Sequence, residues 1–72
     1  MDRKDMYATG CFFIRKRHIA PRCRLYSIAP EWAIYISREF GKWRLVNKFD
    51  TEAECDYEIQ CFADLYYNCI IE

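Results

Sequence analysis

Five cysteines and one histidine are the side chains most able to do chemistry in this chain of 72 residues. The cysteines are Cys11, Cys23, Cys55, Cys61 and Cys69, with 11, 31, 5 and 7 residues between successive members. None of these intervals has the Cys-x2-Cys form that pairs ligands for structural zinc. An odd number of cysteines without an evident export signal also argues against a closed disulfide framework. We therefore expect no metal, no other cofactor and mostly buried thiols, with Cys61 the most exposed.

His18 lies in a basic turn of the sequence. A histidine acts as a general base only with a partner within hydrogen-bond reach and a group that orients it. Cys11 or Cys23 could supply such a partner, whereas a solvated loop histidine needs none. Gly10 and Gly41 are the only glycines, so the chain has no Gly-rich loop to cradle a phosphate. The sequence predicts that the protein is not an enzyme.

The formal net charge of zero hides a gradient along the chain. Residues 1–24 carry seven basic and two acidic side chains, a net charge of +5, and residues 25–48 carry four and two, a net charge of +2. Residues 49–72 carry seven acidic side chains and no basic one, a net charge of −7. Two interpretations are open: two charged surfaces face partners, or the two segments neutralise each other within one fold.

Composition narrows the class of protein. Hydrophobic residues make up 53% of the chain and aromatic residues 18%, which is too apolar for a disordered tail. The length fits one domain over residues 1–72. No apolar run approaches the roughly 20 residues that span a bilayer, and the first residues lack the apolar core of a signal peptide. We expect a cytoplasmic protein without membrane contact.

Hydrophobic periodicity predicts the strands that position these side chains. Alternation over about 6–17, 32–37 and 43–49 is typical of half-buried strands, and 23–28 is either a separate strand or the front half of a bent one. The alternation puts Trp43, Leu45 and Phe49 on the core face and Arg44, Val46 and Lys48 on the other. It does not decide which face of the first strand is buried.

The last third of the sequence predicts a helix over about 51–67. Asp50 or Thr51 can cap it, and Glu54 follows Thr51 at the spacing of a capping box. At about 100° per residue, one apolar stripe contains Cys55, Ile59, Phe62, Tyr66 and Cys69, with Leu65 beside it. Residues 69–71 are a packed tail or a short strand. The predicted fold is α+β: a three- to four-stranded antiparallel sheet, arranged as a meander, with one C-terminal helix packed on one face.

The outer face of this helix is predicted to be a negative surface with exposed aromatic rings. Its members are Glu54, Asp56, Tyr57, Gln60, Asp64 and Tyr67. Tyrosine gives a large contact area at low entropy cost and is frequent in protein interfaces. The surface could engage a basic groove on a larger protein or nucleoprotein complex. Compact, aromatic-rich chains of this size resemble the inhibitors and regulators encoded by bacteriophages and mobile elements, which gives the first functional hypothesis.

The alternative hypothesis is a sheet-based nucleic-acid-binding module. Its residues are Arg15, Arg17, Arg22, Arg24, Tyr35, Arg44 and Lys48. Basic side chains among aromatic ones on an open sheet can neutralise phosphates and stack on bases, although an ordinary solvated face has the same composition. The segment from Trp43 through Phe49-Asp50-Thr51-Glu52 resembles the last strand and helix start of AP2-type and phage-integrase arm-type DNA-binding domains. This resemblance covers less than a third of the chain, and it implies a sheet that contacts DNA.

Overall fold

The computed structural model describes residues 2–19 and 31–72. In chain order, the elements of this part are α1 (Arg3–Ala8), β1 (Phe12–His18), β2 (Trp32–Glu39), β3 (Lys42–Phe49), α2 (Glu52–Leu65) and β4 (Cys69–Ile71). The strands form one sheet in the order β3–β2–β1–β4, with α2 packed on it, so the predicted α+β class is confirmed. The predicted strand at 23–28 lies outside the described residues, as do Arg22, Cys23 and Arg24.

The sheet is mixed, so the predicted purely antiparallel meander is wrong. β1 pairs antiparallel with β2, and β2 pairs antiparallel with β3. β4 instead runs parallel to β1, with Phe12 opposite Cys69 and Ile14 opposite Ile71. The reason is that α2 carries the chain back across the sheet from β3, and a helical crossover returns the next strand parallel to the one before it. Residues 69–71 are therefore a short strand, one of the two alternatives that the sequence left open.

The first strand is shorter than predicted because residues 3–8 are helical. Asp2 caps this helix, since its carboxylate accepts a hydrogen bond from the Asp5 backbone N–H at 3.0 Å. Gly10 then has a φ of +89°, a left-handed conformation that only glycine adopts without steric cost, and the chain turns there into β1. Alternation over so few residues cannot distinguish one short helix from a strand.

The main core lies between α2 and the sheet. Ile14, Ile34, Cys55 and Ile59 are its buried members, and Trp32, Phe49, Phe62 and Cys69 pack around them. Cys55, Ile59 and Phe62 of the predicted helix stripe supply the helix side of this core, whereas Cys69, also predicted on the stripe, reaches it from β4. Tyr66, the remaining member, is more exposed and stacks on Phe62 at a centroid distance of 6.1 Å.

The start of α2 is where the capping box predicted it. The Thr51 side-chain oxygen accepts a hydrogen bond from the Glu54 backbone N–H at 3.2 Å. The helix ends at Leu65, two residues before the predicted end, because Tyr66 has an extended backbone conformation. The shorter helix brings the chain directly into β4.

β1 is buried on both faces at its beginning, which explains why alternation could not assign one buried face. Phe12 and Ile14 lie on the face that α2 covers, and Phe13 lies on the opposite face. There Tyr7 of α1 packs against Phe13 at 5.0 Å between ring centroids, and its hydroxyl hydrogen-bonds to the buried Ser37. α1 therefore covers one end of the face opposite α2.

A β-bulge in β3 changes which of its side chains face α2. Ile34 lies opposite Asn47, but the next residue, Tyr35, lies opposite Leu45. Val46 is therefore an extra residue in β3, and alternation inverts across it.

Because of this bulge, part of the predicted assignment of β3 side chains to the two sheet faces is wrong. Phe49 faces the core as predicted, whereas Trp43 and Leu45 lie on the face opposite α2. Arg44 lies opposite Ile36 on the α2 face, not on the other face as alternation predicted. One inserted residue thus moves one basic side chain and two apolar ones across the sheet.

Candidate partner-binding surfaces

All six residues predicted for the outer helix face are exposed, and we call them together the acidic helix surface: Glu54, Asp56, Tyr57, Gln60, Asp64 and Tyr67. At about 100° per residue, Tyr57 and Asp64 lie opposite the buried Cys55 and Ile59, and Gln60 lies about 40° from Asp64. Glu54 and Asp56 lie on the two flanks of the helix, and Tyr67 follows the helix end. The Gln60 amide donates to the Asp64 carboxylate at 3.1 Å, which joins two adjacent turns of this surface.

Lys16 neutralises one flank of the helix. Its Nζ lies 2.6 Å from a carboxylate oxygen of Glu52 and 2.6 Å from one of Asp56. Hydrogen bonds to Asp56 and then to Glu52 raise the pKa of Lys16 above its ordinary value. The two charged segments of the sequence therefore do neutralise each other here, and Asp56 is held within the fold although it remains exposed.

A second ion pair joins the two ends of the chain. The Arg3 guanidinium donates to both carboxylate oxygens of Glu72, with N–O distances of 3.2 and 2.5 Å. This hydrogen bond lowers the pKa of Glu72 below its ordinary value and raises that of Arg3. The pair fixes α1 to the residue that follows β4.

The rest of the acidic helix surface keeps its charge. Within residues 2–19 and 31–72, no basic side chain pairs with Glu54 or Asp64. Tyr57 is 72% exposed beside them, and Tyr67 is fully exposed. These aromatic rings contribute little to the core, so their contact area is available to a partner.

Sequence reasoning missed two neighbours of this surface. Leu65 was expected beside the core stripe but is 77% exposed, since it lies about 80° from Cys55 around the helix. An open concavity next to Tyr57 is lined by Phe49, Ala53 and Glu58 as well. The angle between Leu65 and Cys55 around the helix could have predicted that Leu65 is exposed. The concavity could not be predicted in this way, because it depends on the turn between β3 and α2.

Four of the residues predicted for nucleic-acid binding share the sheet face opposite α2. Arg15 lies opposite Tyr35, and Ala33 lies between Arg17 and Lys48 on neighbouring strands. We call Arg15, Arg17, Tyr35 and Lys48, together with Trp43, the open sheet face. Arg44 is not part of it because of the bulge, and Arg22 and Arg24 are outside the described residues.

Arg15 is held by stacking on Trp43. Its guanidinium carbon lies 4.0 Å from the ring centroid, within the range of a cation–π contact. The Arg15 Nε is buried and has no hydrogen-bond partner among the described residues. Trp43 was predicted to face the core, so this pair was not predicted from the sequence.

Cys11 and His18, one of the two thiol–histidine pairs that the sequence allowed, lie far apart, and Cys23 of the other pair is outside the described residues. Cys55 is buried, and burial raises its pKa and that of Cys69. Cys11 precedes β1 and His18 ends it, so the strand holds them more than about 20 Å apart. His18 packs edge-on against Trp32 at 5.0 Å. Among the described residues, no three His, Cys, Asp or Glu side chains come together as a metal site would require.

Comparison of the chain with protein families, curated proteins and solved structures finds no match. Within residues 2–19 and 31–72, no helix has the length and apolarity needed to cross a membrane.

Proposed function

We propose that the protein is a small, non-enzymatic interaction protein that binds a basic surface of a larger protein or nucleoprotein complex through the acidic helix surface. The observation that carries this proposal is the exposure of Tyr57 and Tyr67 beside the carboxylates of Glu54 and Asp64. Large exposed aromatic rings next to like charges are typical of binding surfaces, because tyrosines supply contact area while charges select the partner.

The electrostatics favour a basic partner. Glu54 and Asp64 are ten residues apart, about 15 Å along the helix axis. A partner groove of that length with lysine or arginine side chains would be complementary in charge, and complementarity of this kind speeds association. The most concrete form of the proposal is an inhibitor or regulator of the phage or mobile-element type that occupies a basic groove of a host complex.

Charge reversal tests the proposal. The double variant Glu54→Lys/Asp64→Lys should lose the partner that the unchanged protein recovers from a lysate of its native host, identified by mass spectrometry. Asp56 is left in place because its ion pair with Lys16 contributes to the fold.

The matched control carries the same change in net charge elsewhere. Asp5→Lys/Glu39→Lys alters two exposed acidic side chains, one on α1 and one at the turn from β2 into β3, and should retain the partner. Circular dichroism should give the same spectrum for all three proteins. Equal recovery by both double variants would eliminate the acidic helix surface as the binding site.

A second candidate function, nucleic-acid binding, is favoured by one specific observation. The Arg15 guanidinium stacked on Trp43, flanked by Arg17 and Lys48, combines cationic groups with an aromatic platform on the open sheet face. Groups of this kind bind single-stranded nucleic acid by neutralising phosphates and stacking on bases.

Fluorescence anisotropy with single- and double-stranded oligonucleotides tests the second candidate. Binding should weaken steeply with salt, and Lys48→Gln should reduce the slope of log affinity against log salt by about 0.7–0.9. Lys4→Gln, a change on α1, is the control and should leave the slope unchanged. No binding at low salt would exclude the candidate.

A further inference from the structure

A basic pocket lies on the α2 face of the sheet, at the end where β2 turns into β3. It has a volume of about 250 Å³ and is lined by Ile36, Arg38, Glu39, Lys42 and Arg44. The core under α2 is centred farther along the same face, on Ile14 and Ile34. The pocket is therefore separate from the acidic helix surface and from the open sheet face.

The strand register brings two arginines together in this pocket. Arg44 lies directly opposite Ile36, and Arg38 follows Ile36 by two residues on the neighbouring strand. The register shifts between Ile36 and Glu39, and both arginines still line the same pocket, so their two long side chains can reach one small ligand. The Arg38 guanidinium carbon lies 4.6 Å from the ring centroid of Phe12, so stacking positions it before any ligand arrives.

The charge of the pocket is not satisfied by its surroundings. Lys42 Nζ lies 3.0 Å from a carboxylate oxygen of Glu39, so these two side chains neutralise each other. Neither Arg38 nor Arg44 pairs with a carboxylate of residues 2–19 and 31–72. The lining therefore carries three basic and one acidic side chain, a net charge of +2.

We infer that this pocket binds a phosphate group, a ligand that the proposed function does not involve. Each guanidinium presents planar, paired N–H donors that match two oxygens of one phosphate. A phosphate has enough oxygens to accept from Arg38 and Arg44 at once, and as a dianion it balances the net charge of the lining. The phosphate comes either from free inorganic phosphate or from a nucleotide.

Titration of the intact protein with inorganic phosphate, followed by two-dimensional NMR, tests the inference. Backbone signals of Ile36, Arg38, Lys42 and Arg44 should shift in a saturable manner. Arg44→Gln should weaken the affinity by roughly tenfold or more, because charge-assisted hydrogen bonds are lost. Since Arg44 is exposed, the variant is expected to fold, and its unshifted signals check this. Lys48→Gln, on the open sheet face, is the matched control and should leave the affinity unchanged.

Two further titrations make the inference falsifiable and identify the source. Tighter binding of AMP than of phosphate, with no binding of adenosine, would support the inference and indicate a nucleotide. Equal binding of AMP and phosphate would support it and indicate the free ion. Equal affinity for acetate and phosphate, no saturable shift, or unchanged affinity in Arg44→Gln would overturn it.

Discussion

At the scale of single residues, Lys16 explains how a neutral chain keeps a charged surface. It belongs to the basic segment, residues 1–24. Its Nζ lies 2.6 Å from a carboxylate oxygen of Glu52 and 2.6 Å from one of Asp56, both in the acidic segment, residues 49–72. Only this flank of α2 is neutralised by β1. On the opposite flank and the outer face, Glu54 and Asp64 pair with no basic side chain of residues 2–19 and 31–72, so neutralisation within the fold accounts for only one side of the helix.

Lys16→Met should lower the free energy of unfolding, because Glu52 and Asp56 would then repel each other one helical turn apart. Lys48→Met removes a lysine of the open sheet face that pairs with no carboxylate of residues 2–19 and 31–72, and it should have a smaller effect. Urea denaturation followed by circular dichroism measures both. Equal effects in the two variants would mean that the Lys16 ion pairs contribute nothing.

The Arg3–Glu72 pair should make stability depend on pH. The pKa of Glu72 in the folded protein is below the ordinary value of 4.5. At pH values between these two pKa values the unfolded chain therefore binds more protons than the folded one. The stabilisation is present above pH 4.5 and is lost as the pH falls through the folded pKa. Glu72→Gln should therefore show a shallower loss of unfolding free energy between about pH 5 and pH 3.

Arg3→Gln should reproduce the shallower pH dependence of Glu72→Gln, because it removes the partner that lowers this pKa. Denaturant titrations at a series of pH values test the pair. If the free energy of unfolding fell with pH as steeply in both variants as in the unchanged protein, the Arg3–Glu72 pair would not be the cause of the pH dependence.

At the scale of elements, sequence patterns predicted the features that depend on neighbouring residues. The capping box at Thr51, most of the apolar stripe of α2 and the strands β2 and β3 all follow from local spacing. The helix Arg3–Ala8 escaped prediction because six residues give too short a pattern and depend on the packing of Tyr7. The bulge at Val46 was not predicted, because a pattern of alternating residues does not show where an extra residue is inserted into a strand.

The same distinction between local pattern and strand register explains which surfaces could be predicted from the sequence. The acidic helix surface was predictable because a helix places its faces by a fixed angle per residue, and all its members are exposed. The open sheet face was predictable only in part, because the bulge exchanged Arg44 for Trp43. The pocket with Arg38 and Arg44 requires the register of two strands, which the sequence alone does not specify.

Thr51→Ala should lower the free energy of unfolding by about 1 kcal/mol, because the Glu54 backbone N–H would lose its hydrogen bond. Thr51→Ser keeps the accepting oxygen and should lose much less. Urea denaturation of the two variants measures the difference. If both variants lost the same amount, the side-chain cap would not stabilise α2.

At the scale of the whole molecule, the acidic helix surface and the open sheet face lie on opposite sides of the sheet. α2 presents carboxylates and tyrosines on one side, while Arg15, Arg17 and Lys48 lie on the face of the sheet that α2 does not cover. The proposed function assigns the partner to the first side and the second candidate assigns it to the other.

Photo-crosslinking from each side is the most direct measurement of that assignment. Benzoylphenylalanine would replace Tyr57 on the acidic helix surface or, as the matched aromatic control, Tyr35 on the open sheet face. After irradiation in a lysate of the native host, crosslinks to the protein partner should form from position 57 and not from position 35. Crosslinks from position 35 alone would contradict the proposal that the acidic helix surface binds the partner.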